Sequence, residues 1–255
     1  MTILCYHSVD HDWGSPLSVT PHEFASHLEW LVAHREVVSL ADALTHLDRQ
    51  WRLPPPYVSI TFDDGFASVY EHALPILRRH GVAATVFVVA ETLAPHSRAV
   101  DWVDTPPAWP LRTLDVEAVL ELHASGIAIG SHSFRHDILP TLDDSDCERD
   151  LRESRGVLEA LLGEPVPFLA YPRGRHSEAV RRAAERAGYQ HAFTLPEARE
   201  PQGPFAVPRV GVYPGNGVRS LWMKTRPWYL AARTSAAYPA LRRLAGRPAT
   251  SARVG

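Results

Sequence analysis

Short apolar runs alternate with longer amphipathic segments along most of the chain. Residues 57–62 and 82–89 are rich in apolar and β-branched side chains, which is typical of strands covered on both faces. Shorter runs of the same kind predict three further strands, over residues 127–129, 166–170 and 191–195.

The segments between these runs carry helix start and stop signals. Thr20-Pro21-His22-Glu23 has the form of a capping box with proline at the first helical position. The helix that it starts would place Phe24, Leu28 and Leu31 on one face. Further helices are predicted from a Ser39 cap to residue 47, over 66–80 with a bend at Pro75, from a Thr113 cap to Gly126, over 143–162 and over 177–187.

This rhythm of strand and helix predicts parallel strands joined by crossover helices, and hence an α/β fold of the distorted (β/α) barrel type. Conspicuous polar residues follow the predicted strands, at the ends that form the active-site face of such a barrel. They are His7, Asp63, Asp64, His132, His136 and residues 171–174. We expect the barrel to span residues 1–217 and a helical tail of open role to span residues 218–255.

Composition narrows the classes of function. The 255 residues are 45% hydrophobic and 22% charged, which suits one globular domain, and a net charge of -3 argues against a nucleic-acid partner. We find neither a secretory signal nor an apolar run of the roughly 20 residues that span a bilayer. These features predict a cytoplasmic protein without a transmembrane segment, whose aromatic and arginine-rich tail is a candidate for peripheral membrane contact.

Two short motifs carry the candidate chemistry. Asp63 and Asp64 are consecutive at a strand end, so one carboxylate can bind a metal while the other faces a water on it; the alternative is a solvated turn. His132 and His136 are four residues apart and can hold one ion if the segment is helical or tightly turned, although a chance pair is the alternative. Two imidazoles and one carboxylate leave coordination positions open, as in catalytic metal sites.

The motifs Thr61-Phe62-Asp63-Asp64-Gly65 and His132-Ser133-Phe134-Arg135-His136 resemble those of the polysaccharide deacetylases. This is carbohydrate esterase family 4, which shares the domain of the rhizobial chitooligosaccharide deacetylase, and the resemblance runs over residues 1 to about 213. It implies that Asp63 is the general base and that Asp64, His132 and His136 bind a divalent metal. Zinc is the expected metal, with Co²⁺ and Ni²⁺ as alternatives.

The third family motif, Arg-x-Pro-x-Gly, is altered here to Ala170-Tyr171-Pro172-Arg173-Gly174, so the arginine that would orient Asp63 is replaced by Ala170. Relatives with this form carry a later Pro-Arg pair, which matches Pro208-Arg209. We therefore predict that Arg209 supplies the missing cation; the alternative is an ordinary strand-end arginine.

The segment Leu4-Cys5-Tyr6-His7 resembles a Tyr-His signature of the deacetylases that act on biofilm poly-N-acetylglucosamine. In that branch the histidine takes the place of a late motif that carries the general acid. His7 is therefore the candidate acid, with a satisfied strand-end histidine as the alternative. Histidine can donate a proton near neutral pH.

The resemblance implies a metal-dependent hydrolase that removes an N-acetyl group from an amino sugar in a glycan, a glycolipid or a glycosylated metabolite. The metal and a backbone N–H of residues 171–174 would stabilise the tetrahedral oxyanion. Tyr171, Pro172 and Arg173 are the candidate substrate-binding residues, and Tyr171, Trp102 and Trp109 are candidates for stacking on a sugar ring. The alternatives are a cyclic ureide or imide amidohydrolase of the same barrel family and an inactive carbohydrate-binding relative.

Overall fold

Parallel strands alternate with helices in the computed structural model, which describes residues 1–49, 57–94, 99–196 and 198–238. The strands are β1 (Thr2–Tyr6), β2 (Ser8–Val9), β3 (Ser18–Val19), β4 (Glu36–Val37), β5 (Tyr57–Phe62), β6 (Thr85–Val88), β7 (Ala128–Ser131), β8 (Phe168–Ala170), β9 (His191–Thr194), β10 (Val207–Pro208) and β11 (Val210–Gly211). The α-helices are α1 (Pro21–His34), α2 (Leu40–Arg49), α3 (Leu74–His80), α4 (Val116–Ala124), α5 (Asp144–Leu162), α6 (Glu178–Arg186), α7 (Val218–Lys224) and α8 (Pro227–Arg233).

The main sheet forms a nearly closed barrel, and the two ends of its row of strands meet at one residue. Its strands lie in the order β10-β9-β8-β7-β6-β5-β1-β11, with β4 paired to β5, and every pair is parallel. The two strands at the ends of this row, β10 and β11, are separated along the chain only by Arg209. The Arg209 N–H donates to the Thr194 carbonyl of β9, whereas the Val212 N–H donates to the Cys5 carbonyl of β1. One extended segment thus joins both edges of the sheet.

Several predicted helix boundaries are confirmed by their caps. Thr20 and Glu23 form the reciprocal capping box at the start of α1, and Ser39 caps α2 by accepting the Asp42 N–H. Gly81 and Gly163 end α3 and α5 with positive φ angles of 61° and 70°, a conformation that glycine adopts without strain.

One predicted boundary is wrong, and one predicted helix is irregular in its interior. The Asp115 carboxylate, not Thr113, caps α4 by accepting the Ala118 N–H, while Thr113 pairs with Phe66 in an isolated bridge. The predicted helix over 66–80 contains a π-helical turn, Val69–Ala73, before α3. Pro75 lacks the N–H that would bond to the residue 71 carbonyl, so a regular α-helical turn cannot form across this point.

Alternate residues of the strands face two different cores. Leu4, Tyr6 and Val58 pack against the surrounding helices. Ile3 belongs instead to a separate cluster with Phe87 and with aromatic residues of β8 and β9. Apolar side chains thus fill most of the space on both faces of the strands, and the candidate residues lie at or beyond the strand ends.

Within the described part of the predicted tail, α7 and α8 are two short helices that expose Trp222 and Trp228. Residues 239–255 lie outside the described residues, so the separate tail stays a prediction. None of the described helices combines the length and the apolar character needed to cross a bilayer.

Candidate active site

The two consecutive carboxylates follow β5 and diverge because the backbone reverses between them. The Asp63 N–H donates to the Tyr6 carbonyl and so continues the pairing with β1. Asp64 then has a φ of 69° and Gly65 a φ of 62°. A left-handed conformation is rare for a residue other than glycine and marks a tight turn. The turn directs the two side chains, both nearly fully buried, toward different partners.

Asp63 is held by Arg209 in a two-point ion pair. Arg209 Nη1 lies 2.6 Å from Asp63 Oδ1, and Nη2 lies 2.7 Å from Oδ2. Arg209 Nη1 also donates to Thr61 Oγ1 at 3.1 Å, and the guanidinium carbon lies 5.3 Å from the centre of the Phe87 ring. The planar guanidinium matches a carboxylate in this paired geometry. Arg209 therefore occupies the place predicted for the missing motif cation.

The Asp63 side also includes Cys5 and His7 from β1 and its end. The Cys5 thiol donates to Asp63 Oδ2 at 3.3 Å, and ligand-type atoms of Cys5, His7 and Asp63 all lie within 4.8 Å of one another. Among the described residues, none hydrogen-bonds to the buried Nδ1 of His7. His7 thus lies beside Asp63, because the parallel pairing of β1 with β5 places Tyr6 opposite Phe62 and the next residues of both strands together.

Electrostatics keep Asp63 ionised. Burial alone raises the pKa of Asp63, but the Arg209 guanidinium and the nearby imidazoles outweigh burial and hold the pKa well below its usual range. Burial raises the pKa of the Cys5 thiol, so this sulfur stays protonated. The carboxylate at the base position is consequently unprotonated near neutral pH, which is the state that a general base requires.

Asp64, His132 and His136 form a second cluster that fits a metal ion. Asp64 Oδ1 lies 3.5 Å from His132 Nε2 and 3.2 Å from His136 Nε2, and the three potential ligand atoms all lie within 4.8 Å of one another. His132 Nδ1 bonds to the Ala170 carbonyl at 2.8 Å, which fixes the tautomer that leaves Nε2 as a ligand. A carboxylate with two imidazoles is a donor set typical of catalytic zinc.

The two histidines meet through a tight turn, not through a helix. Ser133 and His136 both have positive φ angles, 67° and 62°, and the His136 N–H donates to Ser133 Oγ at 2.9 Å. Asp150 of α5 accepts the N–H groups of Phe134 and Arg135 at 2.9 and 3.2 Å. Burial raises the pKa of Asp150 to about 6. Asp150, which no sequence motif indicates, therefore supports the turn that carries both imidazoles.

Trp102 contacts the second cluster directly. Its indole N–H donates to Asp64 Oδ1 at 3.1 Å, and its ring stacks on His136 with centroids 5.0 Å apart and an interplanar angle of 22°. From the sequence, Trp102 is a candidate only for stacking on a sugar ring. The structure instead places it against two of the candidate metal ligands.

The three candidate substrate-binding residues have other contacts. Tyr171 is fully buried, and its hydroxyl donates to the Phe205 carbonyl at 3.0 Å. Its interpretation as a sugar-stacking residue is wrong, because no face of a buried ring is open to a substrate. Pro172 is buried as well. The Arg173 side chain donates to Asp104 and to the Trp102 carbonyl, so it anchors a loop.

A surface cavity of about 130 Å³ borders this end of the barrel. Its lining includes Ser8, which directly follows His7, and Phe66, which lies two residues after Asp64. Trp109 also lines the cavity and is 45% exposed. Trp109 is therefore the candidate stacking residue that the structure leaves accessible.

The amino-acid sequence of the chain is similar to those of known proteins. A family model described as polysaccharide deacetylase matches residues 51–192, which include both motifs. YxkH of Bacillus subtilis is 28% identical over 218 residues, or 84% of this chain and 72% of that protein. The poly-β-1,6-N-acetyl-D-glucosamine N-deacetylase of Staphylococcus epidermidis is 27% identical over 192 residues, or 71% of this chain and 62% of that enzyme. The chain thus matches less than two thirds of the staphylococcal enzyme.

The fold matches solved deacetylases. PplD of Streptococcus pyogenes, solved with acetate, has a TM-score of 0.77 at 22% identity over 89% of this chain and 98% of that one. IcaB of Ammonifex degensii has a TM-score of 0.71 at 26% identity over 84% of this chain and 92% of that one. The predicted fold class, a distorted (β/α) barrel of the polysaccharide deacetylase type, is confirmed.

Proposed function

The chain belongs to the polysaccharide deacetylase family, and on that premise we propose that it is a metal-dependent hydrolase that removes an N-acetyl group from an N-acetylated amino sugar. The observation that carries the proposal is the juxtaposition of two buried clusters. Asp64, His132 and His136 converge within 4.8 Å, and the adjacent residue, Asp63, is paired with Arg209 at 2.6 and 2.7 Å. One cluster suits a cation, and the other suits proton transfer.

Asp64, His132 and His136 would hold the metal, which we propose to be zinc, with Co²⁺ and Ni²⁺ as alternatives. When bound, such an ion polarises the acetamide carbonyl and lowers the pKa of water. Burial lowers the pKa of His132 to about 4, so its imidazole is neutral near pH 7 and its Nε2 is available as a ligand without competition from a proton.

Asp63 is the proposed general base. Its carboxylate is ionised, and the two hydrogen bonds from Arg209 fix its orientation, so it can take the proton from an attacking water with little rearrangement. His7 is the proposed acid on the same side of the site. It would deliver a proton to the departing nitrogen, because an unprotonated amine is a poor leaving group.

The Arg173 N–H is the proposed backbone donor to the oxyanion. In residues 171–174, Pro172 has no N–H, the Tyr171 N–H donates to the Phe193 carbonyl and the Gly174 N–H donates to the Tyr171 carbonyl. Arg173 has a φ of 55°, so the backbone turns sharply at this residue. A donor fixed in such a turn stabilises developing charge without reorganisation.

The proposed substrate is an N-acetylated amino sugar within a glycan, a glycolipid or a glycosylated metabolite. The staphylococcal relative is a poly-β-1,6-N-acetyl-D-glucosamine N-deacetylase, which supports N-acetylglucosamine as the first sugar to try. The exposed ring of Trp109, in the cavity beside Ser8 and Phe66, would stack on a pyranose face.

Acetate release from short β-1,6-linked N-acetylglucosamine oligomers tests the proposal. We expect zinc-loaded protein to release acetate and to form one free amine per acetate. Chelator-treated protein and the Asp63→Asn variant should release little. Binding of the oligomer without acetate release would favour an inactive carbohydrate-binding protein, and ring opening of allantoin would favour a cyclic ureide amidohydrolase.

A further inference from the structure

We propose that Trp102 is a positioning residue for the metal site: its indole N–H orients the Asp64 carboxylate, and its loop holds it there. This inference rests on the proposed function, because it assumes that Asp64 binds a metal. Trp102 lies 38 residues after Asp64 in the sequence and belongs to neither motif.

Trp102 contacts two of the three candidate ligands in different ways. Its N–H donates to Asp64 Oδ1, the same oxygen that lies 3.2 Å from His136 Nε2. A carboxylate oxygen has two lone pairs, so a donor on one of them restricts rotation of the carboxylate while the other faces the ligand cluster. The stacked Trp102 ring also limits the orientations open to the His136 imidazole. Outer partners of this kind commonly orient metal ligands.

The loop that carries Trp102 is anchored at Trp102 itself and at the residues that follow it. The Trp102 carbonyl accepts from Arg173 Nη2 at 2.7 Å, and the Arg173 guanidinium pairs with Asp104 at 3.0 Å. Thr105 is bound by the Trp13 indole, which donates to its carbonyl at 3.0 Å, and by Ser15, whose hydroxyl lies 2.8 Å from the Thr105 hydroxyl.

Apolar packing completes the anchoring. Val103, directly after Trp102, is buried with Trp13 and Phe66. Phe66 lies two residues after Asp64, so the loop packs on the same turn whose carboxylate the indole contacts. The indole therefore reaches Asp64 from a support fixed by three separate segments of the chain, which lowers the conformational entropy lost when the ligand set is ordered.

The discriminating variant is Trp102→Phe, because it keeps an aromatic ring for stacking on His136 and removes only the indole N–H. We expect its zinc dissociation constant, measured by competition with a chromogenic chelator, to rise about 10- to 100-fold. The melting temperature of the metal-free protein should fall by several degrees at most, because a single hydrogen bond to a buried carboxylate is lost. The visible absorption of the Co²⁺-loaded variant, which depends on ligand geometry, should also change.

Trp109→Phe is the matched control, because Trp109 lies in the same part of the chain and its ring is 45% exposed. It should keep both the zinc affinity and the Co²⁺ spectrum of wild type.

A zinc affinity of Trp102→Phe within twofold of wild type would overturn the inference alone. Failure of the wild-type protein to bind zinc or Co²⁺ would overturn the proposed function and this inference together. If Trp102→Phe does not fold, the same measurements are made on Arg173→Gln. This variant loosens the loop and should weaken zinc binding, although Arg173 is not one of the candidate metal ligands.

Discussion

Asp63 and Asp64 are neighbours in sequence and similarly buried, yet one contacts a charged side chain and the other contacts rings without a permanent charge. Asp63 faces a permanent cation, the Arg209 guanidinium, and its charge is neutralised within the protein. Asp64 faces the indole of Trp102 and two imidazoles, of which His132 is kept neutral by burial. A buried negative charge without a fixed counter-charge is the one that a divalent cation stabilises most.

The comparison shows how one backbone reversal divides two identical side chains between two tasks. Without the positive φ at Asp64, consecutive residues would simply alternate across the sheet. With it, one carboxylate stays with β1 and Arg209, while the other turns toward the loop after β7.

Replacing Asp64 should have the largest effect. Asp64→Asn removes the charge that favours a cation, so we expect metal content after dialysis to fall and acetate release to drop to background. The double variant His132→Ala, His136→Ala should behave in the same way. Full metal occupancy in either protein, measured by elemental analysis, would contradict the assignment of this cluster.

Asp63→Asn should keep its metal and still lose turnover by about 100- to 10,000-fold, because an amide cannot accept the water proton. It also leaves the buried Arg209 guanidinium without its partner, which should lower the free energy of unfolding by about 3–5 kcal/mol. Metal content and kcat are therefore measured below the melting temperature of the variant. The same metal loss as in Asp64→Asn would show that the two carboxylates are not functionally distinct.

His7→Ala should reduce amide hydrolysis by about 100-fold, at the lower end of general acid effects. An activated ester has a good leaving group that needs no protonation, so the loss on such a substrate should be smaller. Metal content should not change. Equal losses on the amide and on the ester would argue that His7 acts through the structure of the site and not as an acid.

Arg209 should control how the stability of the protein and its kcat/KM depend on pH through Asp63. The folded protein lowers the pKa of Asp63, so the stability contributed by this ionised group is present above the unfolded pKa of about 3.9 and is lost as pH falls below it. Arg209→Met should raise the pKa of Asp63 and move the acid limb of the kcat/KM profile to higher pH. Arg209→Lys keeps the charge and should move it less. An acid limb unchanged in Arg209→Met would contradict the pairing as the cause.

Asp150→Asn should have the smallest effect. The carboxylate accepts one N–H on each oxygen, whereas the amide has a single acceptor oxygen, so one hydrogen bond of about 1 kcal/mol is lost from the histidine turn. We expect zinc affinity to weaken by about fivefold. An affinity loss as large as that of Asp64→Asn would make Asp150 a ligand and not a support.

The pH dependence of stability should also separate Asp150 from Asp63. Burial raises the pKa of Asp150 to about 6. Between about pH 4 and pH 6 the folded protein keeps a proton that the unfolded chain loses, so the free energy of unfolding falls as pH rises through this range. This is opposite in sign to the effect of Asp63. The free energy of unfolding, measured by denaturant titration at several pH values in this range, should fall with rising pH more steeply in wild type than in Asp150→Asn.

The apolar pattern and the turn signals predict helices α1–α6 and strands β5–β9, and the motifs predict the candidate residues of the site. Strand β5 and the capping box of α1 follow from the apolar pattern and from side chains within a few residues of one another. The two motifs lie at strand ends, where a parallel barrel collects polar groups on one face. The family resemblance further indicated Arg209 and His7 as residues that the barrel would bring to Asp63.

How those residues are held depends on the tertiary structure. The sequence allows turns at Asp64 and between His132 and His136 but does not require them, and the positive φ angles of Asp64, Ser133 and His136 are seen only in the folded chain. The burial of Tyr171 and the contacts of Trp102 and Asp150 depend on segments far apart in the chain. The reason is physical: helix caps and strand periodicity arise from interactions between near neighbours, whereas the partner of a buried polar group is settled only when the barrel closes and no other donor or acceptor remains within reach.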